Sequence, residues 1–422
     1  MPKLTINDVN LGGKRVFVRV DYNVPMEEKE GRMVVTDLTR VRETLPTLKG
    51  LIGQGARLVL AAHLGRPKGK REPSMSLAPV AVELGNLLGK PVRFVDDCVG
   101  EKVRAAVREL KAGDVLLLEN VRYYAEEEAN EPAFAAKLAE SAEAYVNDAF
   151  GSAHRAHAST EGVARIVAQR GGLCVAGLLM ERELKFLGDE LESPARPFVV
   201  ILGGAKVSDK IMVIDRLLEK ADTILVGGAM AYTFRLAQGR QTGRSLVEAD
   251  KVEVAKAAVA KAQARKVPFL LPVDDVVAVP VKTDQLDKKG KPVIDYQNIR
   301  TNAGLDCPSD AAGLDIGPAT VKAYEEVIAR AKTILWNGPM GLFEDKRFAA
   351  GTYAVAQAVA RATGAGAKSI IGGGDSVKAL NKAKLGDKVT FMSTGGGASL
   401  EFLEGRVLPG VAALADGPAG AC

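Results

Sequence analysis

Short apolar runs recur along this chain, each giving way to glycine or to polar residues, and they restrict its fold more than any other feature. In the first half they cover residues 15–20, 57–61, 92–95, 115–118 and 144–146. In the second half they cover 198–202, 223–226, 269–271, 333–336, 369–371 and 389–392. The runs are continuous and rich in Val, Ile and Leu. Strands of that kind must be covered on both faces, as in a parallel sheet. Helical stretches lie between them. Residues 209–221 put Ile211, Ile214, Leu217 and Leu218 on one stripe, with Ser208 or Asp209 as N-cap, and 248–264 also reads as helix. The alternation predicts a doubly wound α/β architecture.

A charged helical stretch, 181–192, ends in Ser193-Pro194-Ala195-Arg196-Pro197, and each side of it has strands enough for its own sheet. The expected division is a first domain over 1–180, a connecting helix and hinge over 181–197, and a second domain over 198–405. The tail from 408 to 422 is rich in Ala, Gly and Pro; its composition suits either a frayed end or a packed strap.

The chain has 422 residues, 47% apolar and 26% charged, which suits a soluble globular protein of two or three domains. The net charge of +5 comes without a dense run of Lys and Arg interleaved with aromatics, so nucleic acid is not an expected partner. No apolar stretch reaches membrane-spanning length, and residues 1–10 lack the apolar core of a signal peptide. Cys98, Cys174, Cys307 and Cys422 are far apart and form no C-x-x-C pair. The expected setting is the cytoplasm, with reduced thiols.

In open parallel sheets ligands bind where strands end. In the first half those ends read Asp21-Tyr22-Asn23, His63-Leu64-Gly65-Arg66, Glu119-Asn120-Val121-Arg122 and Asn147-Asp148-Ala149-Phe150, the last continuing to His154-Arg155-Ala156-His157. All three histidines and several arginines fall here. Guanidinium forks match carboxylate and phosphate oxygens, so side-by-side strands would form a bowl for a small, strongly anionic molecule. One arginine after a strand is usually a surface charge; several on one edge are not.

The second half ends its strands in glycine: Gly203-Gly204-Ala205-Lys206, Gly227-Gly228, Asn337-Gly338-Pro339, Gly372-Gly373-Gly374-Asp375 and Ser393-Thr394-Gly395-Gly396-Gly397. Glycine lets backbone approach a ligand closely, and a helix start adds positive potential. This pattern reads as a nucleotide site. Lys206 and Lys210 flank a helix start, where the macrodipole disfavours cations, which suggests a phosphate partner. Asp375 is the candidate magnesium ligand. Asp96-Asp97 and Asp274-Asp275 read instead as solvated loop carboxylates. G-x-x-x-x-G-K-[ST] and an early G-x-G-x-x-G are both absent, which argues against a Walker-type ATPase and a nicotinamide-dependent dehydrogenase. A non-catalytic, two-lobed metabolite-binding protein is the other rival.

Arg19-Val20-Asp21-Tyr22-Asn23-Val24-Pro25, His63-Leu64-Gly65-Arg66-Pro67, Gly203-Gly204-Ala205-Lys206-Val207, Gly313-Leu314-Asp315-Ile316-Gly317-Pro318, Trp336-Asn337-Gly338-Pro339 and Gly372-Gly373-Gly374-Asp375, together with the other strand ends, resemble the phosphoglycerate kinase family in order and over nearly the whole chain. The resemblance implies two Rossmann-like domains facing each other across a cleft, with the tail 406–422 returning to the first, and a monomer. It implies that 3-phosphoglycerate or 1,3-bisphosphoglycerate is held by Asp21, Asn23, Arg40, His63, Leu64, Gly65, Arg66, Arg122, His154 and Arg155. MgADP or MgATP would be held by Lys206, Lys210, Gly313, Asn337, Glu344, Gly373, Gly374, Asp375 and Ser376. Arg40, Lys206, Lys210 and the amides of Gly374 and Gly396 would carry the transfer. Ser376 stands where the family usually has threonine and Phe391 where many members have histidine; 281–307 matches poorly.

Overall fold

The computed structural model describes residues 2–286 and 290–417. It divides after Lys185 and after Gly405 into two compact units, one holding 2–185 with 406–417 and the other holding 186–405.

The first unit contains β1 (Arg15–Val20), a hairpin of β2 (Met26–Lys29) and β3 (Arg32–Val35), then β4 (Arg57–Ala61), β5 (Arg93–Val95), β6 (Val115–Leu118), β7 (Ala144–Asp148) and β8 (Leu173–Ala176). Six of these form one parallel sheet in the order β5-β6-β4-β1-β7-β8. Val18 sits between Leu60 and Val146 in register, and all three are fully buried. Helices cover both faces, so each run had to be apolar on both sides. Strand β8 and the hairpin were not anticipated. Leu173–Ala176 is a four-residue run between Gly171-Gly172 and Gly177, too short to stand out as a strand.

The second unit contains β9 (Phe198–Leu202), β10 (Thr223–Val226), β11 (Phe269–Leu270), β12 (Asp275–Leu286), β13 (Pro292–Asn302), β14 (Ala312–Ile316), β15 (Thr333–Asn337), β16 (Lys368–Gly372) and β17 (Phe391–Met392). Its main sheet is parallel, in the order β11-β10-β9-β15-β16-β17. Trp336, Ile201 and Ile371 fill its core. The poorly matching segment is part of a separate antiparallel sheet, β13-β12-β14, whose outer residues are half-exposed or exposed. Residues 287–289 of that segment lie outside the described residues.

Three local expectations need correction. The helix foreseen over 209–221 runs from Ile211 to Leu217 with Lys210 at its N-cap. Ser208 cannot cap it, because its hydroxyl donates to Glu248 Oε1 at 2.6 Å and its amide to Oε2 at 3.0 Å. The helix foreseen from 248 starts as a 3₁₀ turn at Ala249 and becomes α-helical at Val252. Asp274 and Asp275 are buried, not solvated. Asp274 accepts from the amides of Ala319 and Thr320, capping the helix Pro318–Ile328, and Asp275 pairs with buried Arg235.

The tail is a strap on the first unit. Gly410 donates to Ala153 O at 2.8 Å and accepts from Asn147 Nδ2 at 3.1 Å; Ala415 donates to Cys174 O at 2.8 Å. Residues 418–422, with Cys422, lie outside the described residues.

Candidate active site

In each main sheet the chain winds outward one way and then reverses, at β1/β7 in the first unit and at β9/β15 in the second. Ligands of open α/β sheets sit beyond the strand ends at such reversals.

In the first unit β6, β4, β1 and β7 are neighbours, so the four polar strand ends lie on one edge. Asn23 Oδ1 accepts from the Gly65 amide at 2.9 Å, and Arg122 donates to Gly65 O at 3.2 Å. Asn120 Nδ2 holds Leu64 O at 2.7 Å. The 64–66 loop is thus tied to two neighbouring strand ends, and Gly65, at φ +65°, takes a turn that L side chains resist. Arg40 enters from the helix Thr39–Glu43 and pairs with Asp21 at 2.9 Å. Arg155 donates to His154 Nε2 at 3.1 Å; Arg66 and Arg155 are exposed.

Charge links these residues. Burial holds the His63 imidazole well below its ordinary pKa, and the charges of Arg19, Arg122, Arg40 and His157 push the same way. Burial, Arg122, Arg19, Arg155 and His154 bring His157 down to about 4. Burial, with Arg19 and Arg155, also lowers the Arg122 guanidinium, against Glu128 at 3.4 Å. Of the nearby acids, Asp21 pairs with Arg40 and Glu128 with Arg122, while Glu119 and Asp148 are occupied elsewhere. Glu119 accepts from Ser76 and from the amides of Leu77 and Asn120, and Asp148 from the amides of Leu179 and Met180. Arg66 and Arg155 form no ion pair among the described residues, and their positive charge at the strand ends suits an anion.

Sequence reasoning missed Arg19 as part of this site. It is fully buried in β1, with Nε on Ser159 Oγ at 2.8 Å and Nη2 on His63 Nδ1 at 3.0 Å. Its signal was visible: an arginine inside an apolar strand is rarely buried without a task. Buried Glu127, which accepts from Ser159, was missed with it.

In the second unit a cavity of about 660 Å³ opens beside the strand ends, lined by Gly204, Gly228, Gly313, Met340, Glu344 and Asp375 among others. Gly313 admits no side chain, since a Cβ there would lie 1.6 Å from Tyr232 Oη. Lys210 is buried against Asn337 Oδ1, and burial lowers its pKa to about 8 against the pull of Asp209 and Asp375. Gly373, at φ +83°, caps the helix Gly374–Lys382. Asp375 in its first turn is exposed and pairs with Lys378 at 3.0 Å. Ser376 is buried, its Oγ accepting from the Gly338 amide at 2.6 Å, so it shapes the loop after β15. Lys206 is exposed and outside the cavity lining, and Gly396 follows β17 at the far edge of the sheet.

The family model described as Phosphoglycerate kinase matches residues 6–406. A protein named phosphoglycerate kinase from Koribacter versatilis is 54% identical over 420 residues, covering 98% of this chain and 99% of that one. Its namesake from Chlorobaculum tepidum is 53% identical over 416 residues, covering 99% and 100%. Among solved structures, phosphoglycerate kinase from Coxiella burnetii matches with a TM-score of 0.81 at 40% identity, and that from Pyrococcus horikoshii with 0.79 at 35%; each comparison covers 98% of both chains.

Proposed function

This chain belongs to the phosphoglycerate kinase family, and on that premise we propose how its residues divide the reaction between them. The protein is a kinase. It moves a phosphoryl group reversibly between 1,3-bisphosphoglycerate and ADP, giving 3-phosphoglycerate and ATP in glycolysis.

The three-carbon substrate sits on the first unit, held by Asp21, Asn23, Arg40, His63, the Leu64–Gly65 turn, Arg66, Arg122, His154 and Arg155. The observation that carries this reading is the convergence of Arg19, Arg40, Arg122 and Arg155 around His63 and His157 on one sheet edge, close enough that their charges hold both imidazoles down. The nucleotide sits on the second unit, its base and sugar in the cavity beside Gly313 and Glu344, its phosphates toward Lys206, Lys210, Asn337 and residues 373–376.

In the ATP-forming direction a terminal oxygen of ADP attacks the acyl phosphorus, and the bond to the carboxylate oxygen breaks. The leaving carboxylate is stable as an anion, so no proton need move. What the protein must do is position the reactants and offset charge on the transferring group. Arg40 does so from the substrate side, and Lys206 and Lys210 from the nucleotide side. The amides of Gly374 and Gly396 donate to the equatorial oxygens. Residues 181–197 act as the hinge that lets both substrates come into line.

The residues present suit magnesium carried by the nucleotide. No group of three or more His, Cys, Asp or Glu side chains among the described residues could hold a resident ion, while Asp375 offers one exposed carboxylate beside the cavity. Asp375 would hold the magnesium carried by the nucleotide, which would neutralise part of the phosphate charge.

No helix among the described residues is long and apolar enough to cross a membrane, and Cys98, Cys174 and Cys307 are free and buried. We propose a monomeric enzyme of the cytoplasm that works on small molecules, as the family implies.

The test is a coupled assay with 3-phosphoglycerate and ATP. ATP-dependent formation of the acyl phosphate is expected. Ligand binding without turnover would leave a metabolite-binding protein, and turnover that needs a nicotinamide cofactor in the first step would leave a dehydrogenase.

A further inference from the structure

Beneath the anion site runs a chain of buried polar groups whose proton positions can be deduced. Ser159 donates from its amide to Glu127 Oε2 at 2.9 Å and from its hydroxyl to Oε1 at 2.6 Å. With its hydrogen committed to the carboxylate, the Ser159 oxygen can only accept from Arg19 Nε, 2.8 Å away. Arg19 also donates to Val20 O, and it reaches His63 Nδ1 through Nη2 at 3.0 Å. A guanidinium has five donors and no acceptor. His63 Nδ1 must therefore offer its lone pair, and the ring hydrogen of a neutral imidazole must be on Nε2.

We propose that Arg19 is a positioning residue for the substrate site, one that Ser159 and Glu127 hold in place and that sets His63 as a neutral imidazole with its hydrogen on Nε2, ready to donate to the substrate's anionic oxygens. This deepens the reading of His63 as a substrate ligand and rests on it. Nε2 makes no hydrogen bond among the described residues, so its hydrogen is available to a ligand. The alternative forms fail on the same geometry. A hydrogen on Nδ1, in the other tautomer or in the imidazolium, would point at the Arg19 donor. The further charges acting on His63, from Arg122 and Arg40, are cationic as well and oppose protonation, and His157 would add to them only where it is itself charged. Arg19 itself is buried with its counter-charge one hydroxyl away in Glu127, which explains how an apolar strand tolerates it.

The direct test is nuclear magnetic resonance of the full-length protein with ¹⁵N-labelled histidine. Only three histidines are present, and His63→Gln assigns the signals. His63 is expected as the Nε2–H tautomer, unchanged across the range around pH 6.5 where a free imidazole titrates. Its Nε2 resonance should move on adding 3-phosphoglycerate. A hydrogen on Nδ1, or an ordinary titration, overturns the proposal in the wild-type protein, whatever the variants do. A clean Nε2–H form that ignores 3-phosphoglycerate overturns the substrate role of His63, and the positioning role of Arg19 with it. In Arg19→Met, His63 should show both tautomers and regain titration, and KM for 3-phosphoglycerate should rise at least about tenfold with a smaller change in kcat. Arg19→Lys, which keeps a cationic donor, should restore most of both. An Arg19→Met protein whose His63 stays neutral and Nε2-protonated sinks the assignment to Arg19.

Discussion

The two lysines assigned to the transferring phosphoryl group sit in opposite environments, and their behaviour should differ accordingly. Lys206 is exposed, so its removal should change chemistry and little else. Lys206→Ala is expected to lower kcat by at least about a hundredfold, the scale of one lost transition-state donor. Near-normal kcat would remove it from the mechanism. Lys210 is buried, with a pKa near 8 in place of the ordinary 10.5. Between those values the unfolded chain holds the proton more firmly. The destabilising effect of this lysine is therefore complete below about pH 8 and fades as pH rises toward 10.5. Its value to phosphate runs the other way, because only the ammonium form binds. KM for ADP should climb above about pH 8, and in Lys210→Met it should be high and flat across that range; a flat wild-type profile would count against the role. Residue character alone made these lysines legible, through their cost at a helix start. Asp275 was not legible, because its meaning lies in a partner far along the chain, Arg235; Arg19 could be noticed as an arginine in an apolar strand, but its role lies in partners equally far off, His63 and Ser159.

At the scale of elements, continuous apolar runs correctly indicated parallel sheets buried on both faces, and neighbouring strands then brought the polar ends together. The antiparallel sheet of the second unit escaped because β12 and β13 are only half covered, with Lys282, Asp284, Asn298 and Arg300 among their residues. A search for unbroken apolar runs passes over such strands. Joins between elements were equally hidden, since they depend on backbone groups. The helix Leu178–Leu184 shows one. Its first amides donate to side chains from elsewhere in the first unit: Leu178 to Thr47 Oγ1 at 2.8 Å, Leu179 and Met180 to Asp148 Oδ1 at 3.0 and 3.2 Å. Asp148 ends β7, so one carboxylate ties helix to sheet, and Gly177 leaves room for it where a Cβ would lie 2.2 Å from Oδ1. Asp148→Ala should destabilise the first unit by about 1–3 kcal/mol through amides left unpaired in a buried place. A urea midpoint equal to that of the wild type would show that water or another group replaces the carboxylate.

The molecule as a whole is two units with separate cores, yet the chain enters the first unit twice. Residues 406–417 complete it only after the entire second unit has been made. The strap is more than a covering. Leu408 and Leu414 are buried under it, and Gly410 grips both Ala153 and Asn147, immediately before the loop that carries His154 and Arg155. Losing two buried leucines and these hydrogen bonds should cost the first unit on the order of 5 kcal/mol, a large part of the stability of an ordinary domain. The second unit contributes none of its own residues to the strap. A chain ending at Gly405 should therefore bind ADP within about twofold of normal, bind 3-phosphoglycerate far more weakly, and show an early melting transition for the first unit alone. Titration calorimetry with each ligand, beside a melting curve, separates the two effects. If 3-phosphoglycerate bound equally well to the shortened chain, the loop bearing His154 and Arg155 would owe nothing to the strap. If ADP binding fell as steeply, the two units could not be the independent ligand carriers that their separate cores describe.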